Sequence, residues 1–429
     1  MMERWSHVNK LEGEGRPSIG FIDTNLALDH ALACSGSMDV RYFLSSGGAY
    51  PYVKDDASGR GFPITKVESV FDAYRADVFY FMDCYFGRDA DELRRLGRDV
   101  GGASEYWTKI ENDRRFGWRE LQSMGIGVPD GVILKGLLEV LDFVRMNQDG
   151  EKVFYIKTSK HRGSKETGNG VMTWQEALVS ITSGNFGPFL EDMEFLIQFK
   201  CPGKELGVDV FVNGIEIIRP YLLTIEVKGA GTVGKWVEES ILDDLLLNKA
   251  LPSLIETDYR GNISFEFFID GKGRIQVHDP CARPGYPCSA IQAHRIVNLP
   301  EVYTKVARRM PVRVDPGPDL YVAQIGLYTD DRDSWRIIRF PEEFRSEGRS
   351  DVGFRRAMID VHGDYWYVPG DYLVATALGS AGTVEDAIDR ADEVADQIEC
   401  SNSDRPGGFR KYVTETLQEF NSWNIGLEF

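Results

Sequence analysis

Glu266 and Asp279, 13 residues apart, flank the turn Asp270-Gly271-Lys272-Gly273, each set in a short apolar run. The pattern predicts a β-hairpin with one carboxylate on each arm. Strands avoid buried carboxylates because desolvating a charge is costly, so two of them on adjacent strands need a cation or a donor. Oxygen ligands suit Mg²⁺, which is held by one or two acids together with substrate phosphates, and Mn²⁺ can substitute. Arg283 and the Pro284-Gly285 turn follow at once. The combination points to nucleotide chemistry.

Lys157 closes an apolar run and opens a loop to Gly170 that carries Lys160, Arg162, Lys165 and three glycines. A lysine leaving a strand can set a point charge on a phosphate, while glycines let backbone N–H groups approach the same anion. Taken alone, the stretch also reads as a solvated basic loop. Gln198 and Glu205 bracket Pro202-Gly203 in a strand–turn–strand unit. Such a hinge can meet an adenine edge and a ribose hydroxyl, although a glutamate after a turn is ordinary. Gly229–Trp236 imitates a phosphate loop but places Trp236 where Mg²⁺ requires a hydroxyl, so a flexible substrate loop is expected. No HExxH, CxxC pair or GxSxG elbow supports zinc hydrolysis or Ser-His-Asp catalysis. Cys281 and Cys288 near His278 are spaced too irregularly to favour a soft metal.

These groups must be positioned by a chain of 429 residues, long enough for two to four domains. The net charge of −18 argues against a general nucleic-acid or anionic-membrane binder. No apolar run approaches the length of a membrane span. The six cysteines lack paired metal-type spacing, so a reduced, cytoplasmic setting is expected.

The first segment alternates strand and helix signals. Strands are expected at Ser18–Asp23, Val40–Leu44 and Val78–Met82, with helices at Ala27–Cys34 and Asp89–Leu96, the latter followed by Val100-Gly101-Gly102. That rhythm implies a parallel sheet, Rossmann-like but without a GxGxxG dinucleotide fingerprint. One helix is expected over Asn112–Met124, and Leu134–Val144 is amphipathic. Strands follow at Val153–Ile156, Phe195–Phe199 and Gly207–Val212. Near the end, Thr383 can cap a helix whose apolar stripe runs from Val384 to Ile398.

In this order, strand-lysine with glycine loop, hinge with Glu205, then acid-hairpin-acid with Arg283 resembles the ATP-grasp superfamily of carboxylate–amine ligases. Within it the chain looks most like the phosphoribosylamine–glycine ligases, and Gly370–Gly379 followed by Thr383–Ile398 is similar to their carboxy-terminal strand and helix. The resemblance implies an α/β (α+β) ATP-grasp fold: a Rossmann-like pre-ATP-grasp domain over 1–112, an ATP-grasp domain over 113–300 and a small β-rich α+β domain over 301–429. It implies that Arg114, Lys157, Ser164, Gly168, Gln198 and Glu205 bind ATP and that Glu266 and Asp279 hold Mg²⁺. Lys165 and Arg283 would be catalytic. Three positions depart from the pattern. Cys281 replaces an asparagine, Asp279 replaces a glutamate, and Gly20-Phe-Ile-Asp23 lacks the Gly-Gly-Arg-Glu-His signature.

The expected activity is ATP-dependent ligation of a small-molecule carboxylate to an amine through an acyl phosphate, releasing ADP and phosphate. A true phosphoribosylamine–glycine ligase, a nucleotide-binding relative without turnover, and a structural α/β protein with accidental motifs remain as alternatives.

Overall fold

The structure, a computed structural model, describes residues 16–24, 27–45, 57–158, 170–183, 190–286, 288–346, 349–423, 425–427 and 429. The first lobe contains β1 (Ser18–Asp23), α1 (Leu28–Ser35), β2 (Asp39–Leu44), β3 (Thr65–Lys66), α2 (Val70–Ala73), β4 (Val78–Phe81), α3 (Gly87–Arg95) and β5 (Val100–Gly101). All its strands are parallel, in the order β3-β2-β1-β4-β5. This is the doubly wound arrangement anticipated from the β-α-β rhythm. Asp23 ends β1 structurally: one carboxylate oxygen accepts from Thr24 N–H and the other from Ala27 N–H and Tyr42 O–H.

Two helices lead out of the lobe, α4 (Glu105–Asn112) and α5 (Arg114–Ser123). The helix expected over Asn112–Met124 is α5, which starts two residues later. Asp113 leaves the helical region, and its side chain accepts from Phe116 N–H as the cap of α5. A short polar side chain that satisfies an orphan N–H favours a new start over a continued helix.

A small lobe follows, made of β6 (Gly131–Lys135), α6 (Gly136–Asn147), β7 (Phe154–Thr158), α7 (Trp174–Thr182) and β8 (Glu194–Phe199). Its antiparallel sheet has the order β6-β8-β7, and Val140, Val144, Phe154, Ile181 and Ile197 form its core.

The largest sheet has eight strands. It is built from β9 (Lys204–Asn213), β10 (Ile217–Val227), β11 (Gly231–Val237), β12 (Arg260–Ile269), β13 (Ile275–Cys281) and β14 (Tyr321–Tyr328), with Leu373–Ala381 and Val352–Gly353 completing it. The order is β13-β12-β9-β10-β11-β14, then Leu373–Ala381, then Val352–Gly353, so position 300 lies between strands of one continuous sheet. Helices α8 (Asn248–Glu256), α9 (Ser289–Arg295) and α10 (Leu299–Ala307) are interleaved, and α11 (Val384–Ala395) and α12 (Phe409–Trp423) close the chain. The Thr383 side chain caps α11 as its sequence implied.

The Gly229–Trp236 segment corrects one expectation. It is not a loop: Gly231–Val237 is a largely buried strand between β10 and β14. Gly231 and Gly234 are there for packing. A Cβ on Gly231 would stand 2.2 Å from the Gln324 carbonyl, and one on Gly234 would stand 2.7 Å from Leu222 Cδ1.

Helix α10 joins the first lobe to the sheet. Tyr80 O–H donates to the Tyr303 carbonyl at 3.0 Å, and the Tyr303 hydroxyl lies 2.6 Å from His30 Nδ1.

Candidate functional site

The predicted hairpin is present as β12 and β13, with Glu266 directly opposite Asp279. Register slips by one residue immediately afterwards, so His278 is the extra residue of a β-bulge. Neighbours in a regular strand point to opposite faces, but the bulge lets consecutive His278 and Asp279 approach the same acid. Ligand atoms of Glu266, Asp279 and Cys281 lie within 4.8 Å of one another, as do those of Glu205, Glu266 and His278.

Glu205 is brought in by β9, where Gly207 pairs with Glu266 and Glu205 with Phe268. Its Oε1 lies 2.7 Å from Lys228 Nζ and 3.1 Å from His278 Nε2. Lys228 Nζ is also 3.9 Å from Glu266 Oε2. Burial resists ionisation of Glu205, but His278 and Lys228 draw its carboxyl down to about 2. Glu266 behaves oppositely: burial first, then the charges of Asp279 and Glu226, hold its proton affinity well above the usual carboxylate range. A bound cation would relieve that crowding, so the donor set fits a hard divalent ion. Cys281 is a poor third ligand, because burial pushes its thiol up and keeps it neutral.

Positive charge reaches these acids from two directions. Lys157, on β7 of the small lobe, is buried and donates to the His278 carbonyl at 3.0 Å. Burial and then the neighbouring Arg114 lower its ammonium to about 8. Arg114, the first residue of α5, stands 3.3 Å from Asp279 Oδ1. Buried Gln198 on β8 lines the same narrow cleft as Arg114, Lys157, His278 and Asp279.

Arg283, just beyond β13, is held rather than free. Its Nε donates to Glu111 Oε1 at 2.9 Å and lies 3.8 Å from Asp83 Oδ1, while Ala282 N–H donates to Glu111 Oε2 at 2.5 Å. Burial opposes the Arg283 charge, but Glu111 and then Asp83 hold the guanidinium strongly protonated. Ser164, Lys165 and Gly168 lie outside the described residues.

The structure therefore gathers Arg114, Lys157, Gln198, Glu205, Glu266 and Asp279 around one hairpin, with Arg283 fixed at its end. Sequence reasoning missed Lys228, Glu226 and Glu111, and named His278 only beside Cys281 and Cys288. Glu226-Val-Lys228 did carry a period-2 signal at the end of an apolar run, while nothing local marked Glu111, whose role depends on contact with Arg283 across the chain.

Solved structures share this architecture. The phosphoribosylamine–glycine ligase of Thermotoga maritima superposes with a TM-score of 0.67 at 15% identity, covering 90% of this chain and 98% of its own. The biotin carboxylase domain of the Hydrogenobacter thermophilus 2-oxoglutarate carboxylase, solved with MgADP, ADP and bicarbonate, gives 0.63 at 14% identity over 96% and 99%. An L-amino acid ligase of Bacillus licheniformis gives 0.58 at 12% identity over 90% and 99%. No family model and no curated protein matches the sequence itself. The likeness is one of fold, and that fold is the ATP-grasp architecture expected from the motifs.

Proposed function

We propose that this chain, built on the fold of the ATP-grasp ligases, joins a small-molecule carboxylate to an amine at the expense of ATP. The observation that carries the reading is convergence: Lys157 and Arg114 arrive from separate elements at a hairpin presenting Glu266 opposite Asp279. Cations on one side and paired acids on the other form the arrangement needed for a magnesium nucleotide.

Lys157 and Arg114 would draw charge from the nucleotide phosphates while the substrate carboxylate attacks the γ-phosphoryl group. Mg²⁺ or Mn²⁺, held by Glu266 and Asp279, would supply charge neutralisation between phosphate oxygens. Gln198 and Glu205 would orient the nucleoside, and the Lys157–Gly170 stretch, with Ser164, Lys165 and Gly168, would cover the phosphates and exclude water. Arg283, fixed by Glu111, would face charge developing on the acyl phosphate as the amine displaces phosphate. The six free thiols suit a reducing, cytoplasmic setting, and no helix among the described residues is long and apolar enough to cross a membrane.

Phosphoribosylamine–glycine ligation in particular is less favoured, because Gly20-Phe-Ile-Asp23 lacks the Gly-Gly-Arg-Glu-His signature. The test is ADP release from MgATP across a matrix of carboxylates and amines. Release that needs one acid and one amine together supports ligation. Tight magnesium-dependent ATP binding without ADP under any pair would replace it with nucleotide binding alone, the reading that neutral Cys281 favours.

A further inference from the structure

Along one row of side chains beside the hairpin acids, buried oxygens find no hydrogen-bond partner among the described residues. On the sheet face that carries Glu266, Glu226 of β10 pairs with Thr232 of β11, and Thr232 pairs with Gln324 of β14. Directly paired residues on one face hold their Cβ atoms roughly 5 Å apart, so the three form a continuous polar strip. Thr232 and Gln324 are 0% and 1% exposed, yet Thr232 Oγ1 and Gln324 Oε1 have no hydrogen-bond partner among the described residues. Glu226 likewise makes no hydrogen bond or close ion pair with any described residue. Its charge bears on Glu266, which places the strip beside the hairpin acids.

Buried polar atoms left unpaired cost free energy, and a fold retains them where a ligand or ordered water completes them. The strip's borders are built. The Tyr328 ring lies over Gly326, within 2.4 Å of where a Cβ would stand, and so roofs the residue two beyond Gln324. The Tyr328 phenol also feels the charge of Glu226. Past Arg283 and Gly285, Tyr286 is covered by the Arg355 guanidinium, 4.3 Å from its ring centroid, and Arg355 pairs with Asp371 at 3.0 Å.

Resting on the ligase reading, we propose that Glu226, Thr232 and Gln324 seat the amine co-substrate by its amino group. The chemistry selects the class. A carboxylate and an amide oxygen only accept, and the threonine hydroxyl can also accept, so their complement is a group rich in N–H donors. A carboxylate or phosphate facing Glu226 would meet repulsion instead. The strip thus assigns the amine, and not the acid, to the β10–β14 side of the hairpin.

The experiment is thermal melting of the full chain. MgADP is titrated first. Ammonium chloride, glycine, ethanolamine and 1,3-diaminopropane are then titrated into the MgADP complex, with acetate and succinate as acid controls. At least one amine should raise the Tm of the parent. In Thr232→Val, Gln324→Met and Glu226→Gln its half-saturating concentration should rise about tenfold or more, the loss expected from one hydrogen bond to a charged group. In Thr232→Val and Gln324→Met, MgADP half-saturation should stay within about twofold. Thr232→Val guards against misfolding, because deleting an unpaired buried hydroxyl should leave the ligand-free Tm unchanged or higher. Unaltered amine binding in the variants, loss confined to acetate or succinate, or no amine response in the parent would each overturn the assignment. Failure of the parent to bind MgADP would instead remove the ligase reading beneath it.

Discussion

The Lys157 ammonium donates to the His278 backbone carbonyl across 3.0 Å, tying the small lobe to the bulge in the β12–β13 hairpin. A buried cation resting on a carbonyl is poised to exchange that partner for a stronger anion. The β12–β13 hairpin and the small lobe are therefore already in contact at the residues proposed to share a nucleotide.

Lys157 should govern nucleotide affinity in a pH-dependent way. Burial and Arg114 bring its ammonium to about 8, so the cationic form that attracts phosphate is lost as pH rises through that value. We expect MgATP affinity to fall over this range in the parent. Lys157→Ala should bind roughly 100-fold more weakly at pH 7, a loss of about 3 kcal/mol for a buried charge-assisted contact. Lys157→Arg should remove the pH dependence. Calorimetric titration at several pH values decides it, and a parallel decline in Lys157→Arg would count against the role.

Glu266→Gln should separate folding from metal use. Removing one of several crowded carboxylates relieves repulsion, so the ligand-free Tm should hold or rise. The stabilisation by MgADP should shrink while that by ADP in a chelator stays unchanged. Equal magnesium dependence in parent and variant would place the ion elsewhere.

Asp209 offers a test of buried acidity. Burial raises its carboxyl to about 6, against hydrogen bonds from Cys288, Ser264 and the Gly285 N–H. The folded chain holds this proton more tightly than the unfolded chain does. Its contribution to stability is full below about pH 4 and is lost as pH rises through about 6. Asp209→Asn should match the parent near pH 4 and exceed it by roughly 3 kcal/mol above pH 7. Urea unfolding at both pH values checks the sign, and a constant difference would show that burial does not set this carboxyl.

Gly203→Ala should be costly. Gly203 has φ of 98°, and a Cβ there would stand 2.0 Å from the Ile269 carbonyl oxygen. Backbone strain and steric conflict together predict a loss of about 2–4 kcal/mol in urea unfolding. A loss below about 0.5 kcal/mol would mean that the turn between β8 and β9 adjusts freely.

Much of the site was legible because its signals are local. Alternating apolar residues around Asp270–Gly273 specify a hairpin with Glu266 on one arm and Asp279 on the other. The parallel first lobe follows from strand and helix signals in alternation, and Thr383 declares the start of α11 by capping it. Other features required contacts that no short window contains. Gly229–Trp236 looked like a loop because glycine favours turns, but its glycines answer to Gln324 and Leu222 on neighbouring strands. Glu111 acquires meaning only against Arg283, 172 residues away. The bulge at His278 depends on how β13 registers with β12, and that register decides which side chains crowd Glu266. Local periodicity thus chose the elements and most of the charged residues. Packing between distant strands decided their partners, because burial and cross-strand register exist only once the sheet has closed.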